Sequence, residues 1–180
     1  MTEAITSRRP ILLALTVAVA VTALVVAIVR LNVAGPDTTQ PIARDQPAPD
    51  ITGVTLDGDE FRLADLRGRP VIVNFWGPGC DPCRDEFPLF KALLARHAAD
   101  RVALVGVLMD DPPEPARDFV AEFGASWPTV IDPGDKLQSA YRVAARPQTY
   151  FIDVDGILRS IQVGKVTEDV FEKQYATIKP

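Results

Sequence analysis

An α/β domain carried behind one N-terminal membrane-spanning helix is the architecture the sequence predicts, and three observations predict it. Strand-like and helix-like patterns alternate from Ile51 to the C-terminus. A fully apolar strand leads straight into the chain's only two cysteines and then into a helical pattern. A charge-free apolar run stands near the N-terminus. The residues after Arg30 make the usual size of a single domain with one core. A net charge of −5 argues against a nucleic-acid partner, and no internal repeat is visible.

Taken in order, Ile11–Val29 is nineteen residues without a charge, broken only by Thr16 and Thr22. At about 1.5 Å per residue this nearly spans a hydrocarbon core of roughly 30 Å. Arg8 and Arg9 precede it, so the positive-inside rule makes residues 1–10 a cytoplasmic N-terminus and sends the rest across the membrane. A cleaved signal peptide is the alternative, with a weak cleavage site at Val25-Val26-Ala27 and a faint twin-arginine flavour in Ser7-Arg8-Arg9. The run exceeds a usual signal-peptide core, which favours an uncleaved anchor at 11–29. Either way the domain works outside the cytoplasm. Residues 30–46 read as a linker, rich in Pro, Gly, Asp and Thr without periodicity, and 47–180 as the folded domain.

Within that domain, Ile51–Leu56 and Phe61–Leu63 flank the turn residues Asp57-Gly58 as an N-terminal β-hairpin, and Ala64–Leu66 starts a helical turn that Gly68 ends. Val71–Trp76 is apolar enough for the middle of a sheet covered on both faces. From Asp81 to His97, Phe87, Phe90, Leu93 and Leu94 recur at helical spacing, with Pro88 predicting a bend. Val102–Leu108 follows as a second buried strand. Glu114–Phe123 is a helix after the Pro112-Pro113 break, Thr129–Ile131 a short strand and Asp135–Tyr141 a small helix. Gln148–Val154 and Ile157–Val163 form a hairpin around Asp155-Gly156, and Thr167 caps a closing helix from Glu168 to Ile178.

The two cysteines, Cys80 and Cys83, therefore sit at the tip of a strand and the start of a helix. The positive end of a helix and its unpaired N–H groups stabilise a sulfur anion, which makes Cys80 the candidate nucleophile. Cys83, one turn on, can reach back and resolve a mixed disulfide. Other readings fit less well. Structural zinc needs about four ligands, and the only other soft ligand is His97, fourteen positions past Cys83. Covalent haem requires histidine directly after the second cysteine, where Arg84 stands. A purely structural bridge over so short a loop gains little chain entropy. No metal and no cofactor are expected. His97 reads as a cap of the cysteine helix, Asp153 and Asp155 as turn residues, and Met109–Pro113 as a rigid acidic loop.

The Val-Asn-Phe-Trp strand, Cys80-Asp81-Pro82-Cys83 followed by Arg84-Asp85-Glu86-Phe87-Pro88, the later Arg146-Pro147-Gln148-Thr149-Tyr150-Phe151-Ile152-Asp153 and the Asp155-Gly156 turn resemble a thioredoxin-fold protein. More narrowly, the chain is similar to the membrane-anchored TlpA, ResA and CcmG (DsbE) type, from about Pro47 to Lys179. The resemblance implies a central mixed β-sheet with flanking helices and an extra helix and strand inserted at about Pro113–Ile131. It implies extracytoplasmic disulfide reduction, often in cytochrome c maturation.

By that resemblance Cys80 is the attacking thiol, Cys83 the resolving thiol, the two forming a redox-active disulfide, and Pro147 a cis-proline facing them. Arg146, Pro147 and Trp76 form the expected substrate-binding set. Glu86 matches an acidic residue three positions after the second cysteine, where helical spacing lets it take or return a proton; the alternative is a surface acid complementing the helix N-terminus. The chain also departs from the pattern. Gly79 replaces the usual tryptophan before the first cysteine, which opens the rim, and Asn74 stands where cytoplasmic thioredoxins carry a buried aspartate. Arg146 favours a Cys80 thiolate and Asp81 opposes it, leaving the net sign open.

The expected partners are an exported protein substrate with a disulfide, with apocytochrome c leading by resemblance, a transmembrane electron donor of thioredoxin-reducing type, and the membrane through the anchor. A disulfide donor or isomerase of the same fold is the second reading. A non-catalytic binding module holding an inert bridge is the third. A peroxidase is weaker, because Gly77 stands where such sites place a hydroxyl residue.

Overall fold

The computed structural model describes residues 9–33 and 42–180, with side chains for 14–26 and 42–180. These fall into two units that divide after Thr39. The expected cytoplasmic segment before Arg9, and residues 34–41 of the expected linker, lie outside the described residues, while residues 30–33 of that linker belong to a helix.

In the first unit, helix α1 (Arg9–Val33) takes in the whole apolar run and extends past it at both ends. Its described side chains are exposed, and the Thr22 hydroxyl donates to the Ala18 carbonyl at 2.8 Å, which satisfies a polar group inside an apolar helix. Among the described residues, no helix is long and apolar enough to cross a membrane. The expected transmembrane helix is therefore not shown.

The second unit contains β1 (Gln46–Pro47), β2 (Thr52–Val54), β3 (Glu60–Arg62), β4 (Val71–Trp76), α2 (Asp81–Arg96), β5 (Ala103–Leu108), α3 (Pro113–Phe123), β6 (Thr129–Ile131), α4 (Lys136–Tyr141), β7 (Gln148–Ile152), β8 (Ile157–Val163) and α5 (Glu168–Tyr175). Six strands form one mixed sheet in the order β1-β8-β7-β4-β5-β6. β4, β5 and β6 run parallel, β7 is antiparallel to β4, and β8 returns beside β7. β2 and β3 form a separate hairpin whose end docks on the sheet edge, Leu56 N–H donating to the Thr129 carbonyl at 2.8 Å.

Side-chain alternation along the strands explains the layering. On β4, Ile72 and Trp76 join Phe87, Phe90, Leu93, Phe119 and Phe171 in one core cluster. Val71, Val73 and Phe75 join Val105, Val107, Tyr141 and Tyr150 in the other. Both faces of β4 and β5 are buried, which is why these strands read as unbroken apolar runs. By the same alternation Asn74 and, on β7, Thr149 fall on the α2 side.

The structure differs from the sequence reading at the front of the domain. Gln46 belongs to β1 and pairs with Leu158, although 30–46 reads as linker. A two-residue strand containing proline carries no periodicity, and only the partner edge of β8 makes it a strand. Pro88 lies inside α2, where it removes one backbone donor.

Candidate active site at the start of helix α2

β4 ends at Trp76, and Gly77-Pro78-Gly79 turn the chain into α2, with Cys80 N–H donating to the Gly77 carbonyl at 3.1 Å. Cys80 is the N-cap of α2, in extended conformation, and its Sγ accepts from the Cys83 N–H at 3.3 Å. Sulfur thus takes the place a capping oxygen usually holds, at the positive end of the helix dipole. Pro82 fits the first turn because its missing N–H would have no helical partner there. Cys80 and Cys83 form a disulfide, with Cys80 6 % exposed and Cys83 fully buried.

Glu86, one turn past Cys83, is fully buried. Its Oε1 accepts from the Val166 N–H at 2.5 Å and its Oε2 from the Asn74 amide at 3.3 Å. Burial pushes its carboxyl from 4.5 up to about 7; the Val166 and Asn74 hydrogen bonds and the Lys165 charge pull it back down, and Asp85 adds to the rise. A surface acid at the helix start is therefore not what Glu86 is. It is a buried carboxyl that changes charge near neutral pH, on the face of α2 that carries Cys83.

The Arg146–Pro147 peptide is cis and precedes β7, whose Gln148 pairs with Phe75 near the end of β4. Arg146 is ion-paired with Asp111 and also donates to the Met109 carbonyl at 3.3 Å. That ion pair occupies the space a Cβ at Gly77 would enter, which ties the acidic loop after β5 to the turn before Cys80. Lys165, after β8, pairs with Asp85 of α2 at 2.7 Å. Gly79 is exposed, and a Cβ there would meet nothing within 4 Å, so the rim beside Cys80 is open.

Trp76 requires a correction. Read as a substrate-binding residue, it is fully buried, its ring edge-on to Phe87 at 4.8 Å and tilted against Phe119 at 4.9 Å. As the last residue of β4 it alternates onto the inner α2 face, in the core cluster that also holds Cys80 and Cys83, and it presents no surface to solvent. His97 ends α2, as the cap reading has it, and its ring also bonds Glu172 at 3.0 Å and packs on Tyr175. Asp153 accepts from Asp155 N–H and Ile157 N–H, a turn residue in fact. Among the described residues no cluster of ligating side chains could hold a metal ion.

Sequence reasoning missed Thr149, Val166 and Asp111 as neighbours of the site. The alternation of β7 places Thr149 on the α2 face, but nothing in the sequence says which strand lies beside β4.

Comparison with known proteins agrees with this geometry. The model of the AhpC/TSA family matches residues 45–161. The chain is 35% identical over 139 residues to the thiol-disulfide oxidoreductase ResA of Geobacillus kaustophilus (strain HTA426), covering 77% of this chain and 80% of that protein. Among solved structures, a thiol:disulfide interchange protein of the thioredoxin family from Chlorobium tepidum TLS superposes with a TM-score of 0.68 at 26% identity, over 76% of this chain and 98% of its own. A secreted Mycobacterium tuberculosis disulfide oxidoreductase homologous to E. coli DsbE gives 0.62 at 25%, over 70% and 94%.

Proposed function

The chain belongs to the AhpC/TSA family and is a thiol-disulfide oxidoreductase of ResA/DsbE type, and on that premise we propose that it reduces disulfides in exported proteins on the outer side of a membrane to which α1 anchors it. Apocytochrome c is the leading substrate, and a transmembrane donor of thioredoxin-reducing type restores the dithiol. The observation that carries the reading is the Cys80–Cys83 pair at the start of α2, with the Cys83 N–H on the Cys80 sulfur and the Glu86 carboxyl buried behind it.

In the reduced protein the Cys80 thiolate attacks one sulfur of a substrate disulfide, and the other leaves as a thiolate. Cys83 gives its proton to the Glu86 carboxylate and attacks the Cys80 sulfur. The bond to substrate breaks, two electrons pass to the substrate, and Cys80–Cys83 is left oxidised. Arg146 bears on the direction. A free cation beside Cys80 would stabilise the thiolate and make the pair more oxidising, but Asp111 engages Arg146 and Asp81 stands in the first turn of α2. Both favour a reductant.

The extracytoplasmic placement rests on the apolar run after Arg8 and Arg9, and the M. tuberculosis relative is a secreted protein. The test is the reduction potential of the full chain in detergent, equilibrated with defined thiol buffers. A value below about −200 mV is expected, and one near about −120 mV would mark a disulfide donor and reverse the direction of electron flow.

A further inference from the structure

Between β4, β7 and α2 lies a buried polar chain that disulfide exchange at the two sulfurs does not by itself require. The Asn74 amide donates to Glu86 Oε2 at 3.3 Å and to the Thr149 hydroxyl at 3.0 Å. Asn74 is 1 % exposed, and Thr149 and Glu86 are fully buried. A buried polar side chain left without partners is costly, so this chain holds together only while each member is bonded. The four anchoring points come from four places in the fold: Asn74 on β4, Thr149 on β7, Glu86 on α2, and the Val166 N–H in the turn between β8 and α5. Each oxygen of the carboxylate thus has its own donor from a different element.

We infer that Asn74 is a positioning residue of the exchange reaction: its amide, braced by the Thr149 hydroxyl, holds the Glu86 carboxylate against the Val166 N–H and keeps it as the proton acceptor for Cys83. The inference rests on the proposed role of Glu86. Asn74 has no part in the chemistry itself. A neutral amide is the group that suits this place. An aspartate there would set two carboxylates within hydrogen-bond distance and force them to share a proton, whereas the amide offers hydrogens to an anion and keeps no charge of its own. The charged groups that act on Glu86 are Lys165, which favours its ionised form, and Asp85 beside it on α2, which opposes it. Lys165 and Asp85 are paired with each other at 2.7 Å, so the donors from Asn74 and Val166 remain the directional contacts on the carboxylate.

The test is the pH profile of the second half of the reaction. Reduced full-length protein in detergent micelles is mixed with DTNB in a stopped-flow instrument: attack by Cys80 releases one thionitrobenzoate, and resolution by Cys83 releases the second. In the wild type the second release should speed up through about pH 7 as Glu86 ionises. Asn74→Ala should move that midpoint up by about one unit, making resolution about tenfold slower below pH 6, with the first release unchanged. Should Asn74→Ala fail to fold, Thr149→Val, close to isosteric, should shift the midpoint in the same direction, and Thr149→Ser, which retains the hydroxyl, should restore it. If Glu86→Gln removes the inflection while the Asn74 and Thr149 variants superimpose on the wild type, positioning by Asn74 is refuted and the role of Glu86 stands. If Glu86→Gln keeps the wild-type inflection, Glu86 is not the acceptor, and both readings fall.

Discussion

At the scale of single residues the site turns on Glu86, because a fully buried carboxyl is the group whose charge costs the fold most. Its value is 4.5 in the unfolded chain and about 7 in the folded one, raised by burial. Between those pH values the folded state binds more protons than the unfolded state. The stability that comes from protonated Glu86 is therefore complete below about pH 4.5 and is lost as the pH rises through about 7. The size of that loss is about 3 kcal/mol. Glu86→Gln carries no such proton, so the stability of the variant relative to the wild type should rise by about 3 kcal/mol between pH 4.5 and pH 8. Chemical denaturation at a series of pH values measures it, and a constant difference would mean that Glu86 ionises in the fold as it does in water. Trp76 teaches the complementary lesson. A tryptophan four residues before a reactive cysteine invites a binding role, yet strand alternation buries it against Phe87 and Phe119.

At the scale of elements, the start of α2 gives the two cysteines unequal tasks. Cys80, at the N-cap and on the open side of Gly79, is the sulfur a substrate can reach, and Cys83 is enclosed. Cys83→Ser should therefore accumulate covalent mixed disulfides with substrate proteins, visible on non-reducing gels, whereas Cys80→Ser should yield none. Equal trapping by both variants would remove the assignment of attacker and resolver. β5 carries a constraint of a different kind. Gly106 lies between β4 and β6, where a Cβ would stand 2.6 Å from the Thr129 hydroxyl and 2.8 Å from the Trp76 ring nitrogen. The ring is fixed in the core, so Gly106→Ala should cost about 1–3 kcal/mol in denaturant unfolding, while Gly79→Ala, whose added methyl meets nothing, should stay within about 0.5 kcal/mol of the wild type. A harmless Gly106→Ala would show that the packing between Trp76 and Thr129 is loose.

At the scale of the whole molecule, the proposed anchor predicts that the full chain sediments with membranes and resists extraction by high salt. Removal of residues 1–33 should release the domain. Recovery of the intact full-length protein from the soluble fraction would leave the anchoring reading without support. Most of the domain's elements were legible in the sequence, because its apolar periodicity and its turn residues are local properties. The fully apolar β4, the helical spacing of Phe87, Phe90 and Leu93, the hairpins around Asp57-Gly58 and Asp155-Gly156 and the Thr167 cap all stand where the pattern puts them. The dithiol was legible for the same reason, since Cys80 and Cys83 lie within one turn of chain. What the sequence left open depends on residues far apart along it. The strand identity of Gln46 needs β8, the engagement of Arg146 needs Asp111, and the burial of Glu86 needs Asn74 and Val166, twelve residues before it and eighty after. Local pattern thus determined the elements and the reactive pair. Only the tertiary structure decided which of its charges are buried, paired or free to move a proton, because burial and pairing arise where β4, β7, α2 and the turn before α5 converge.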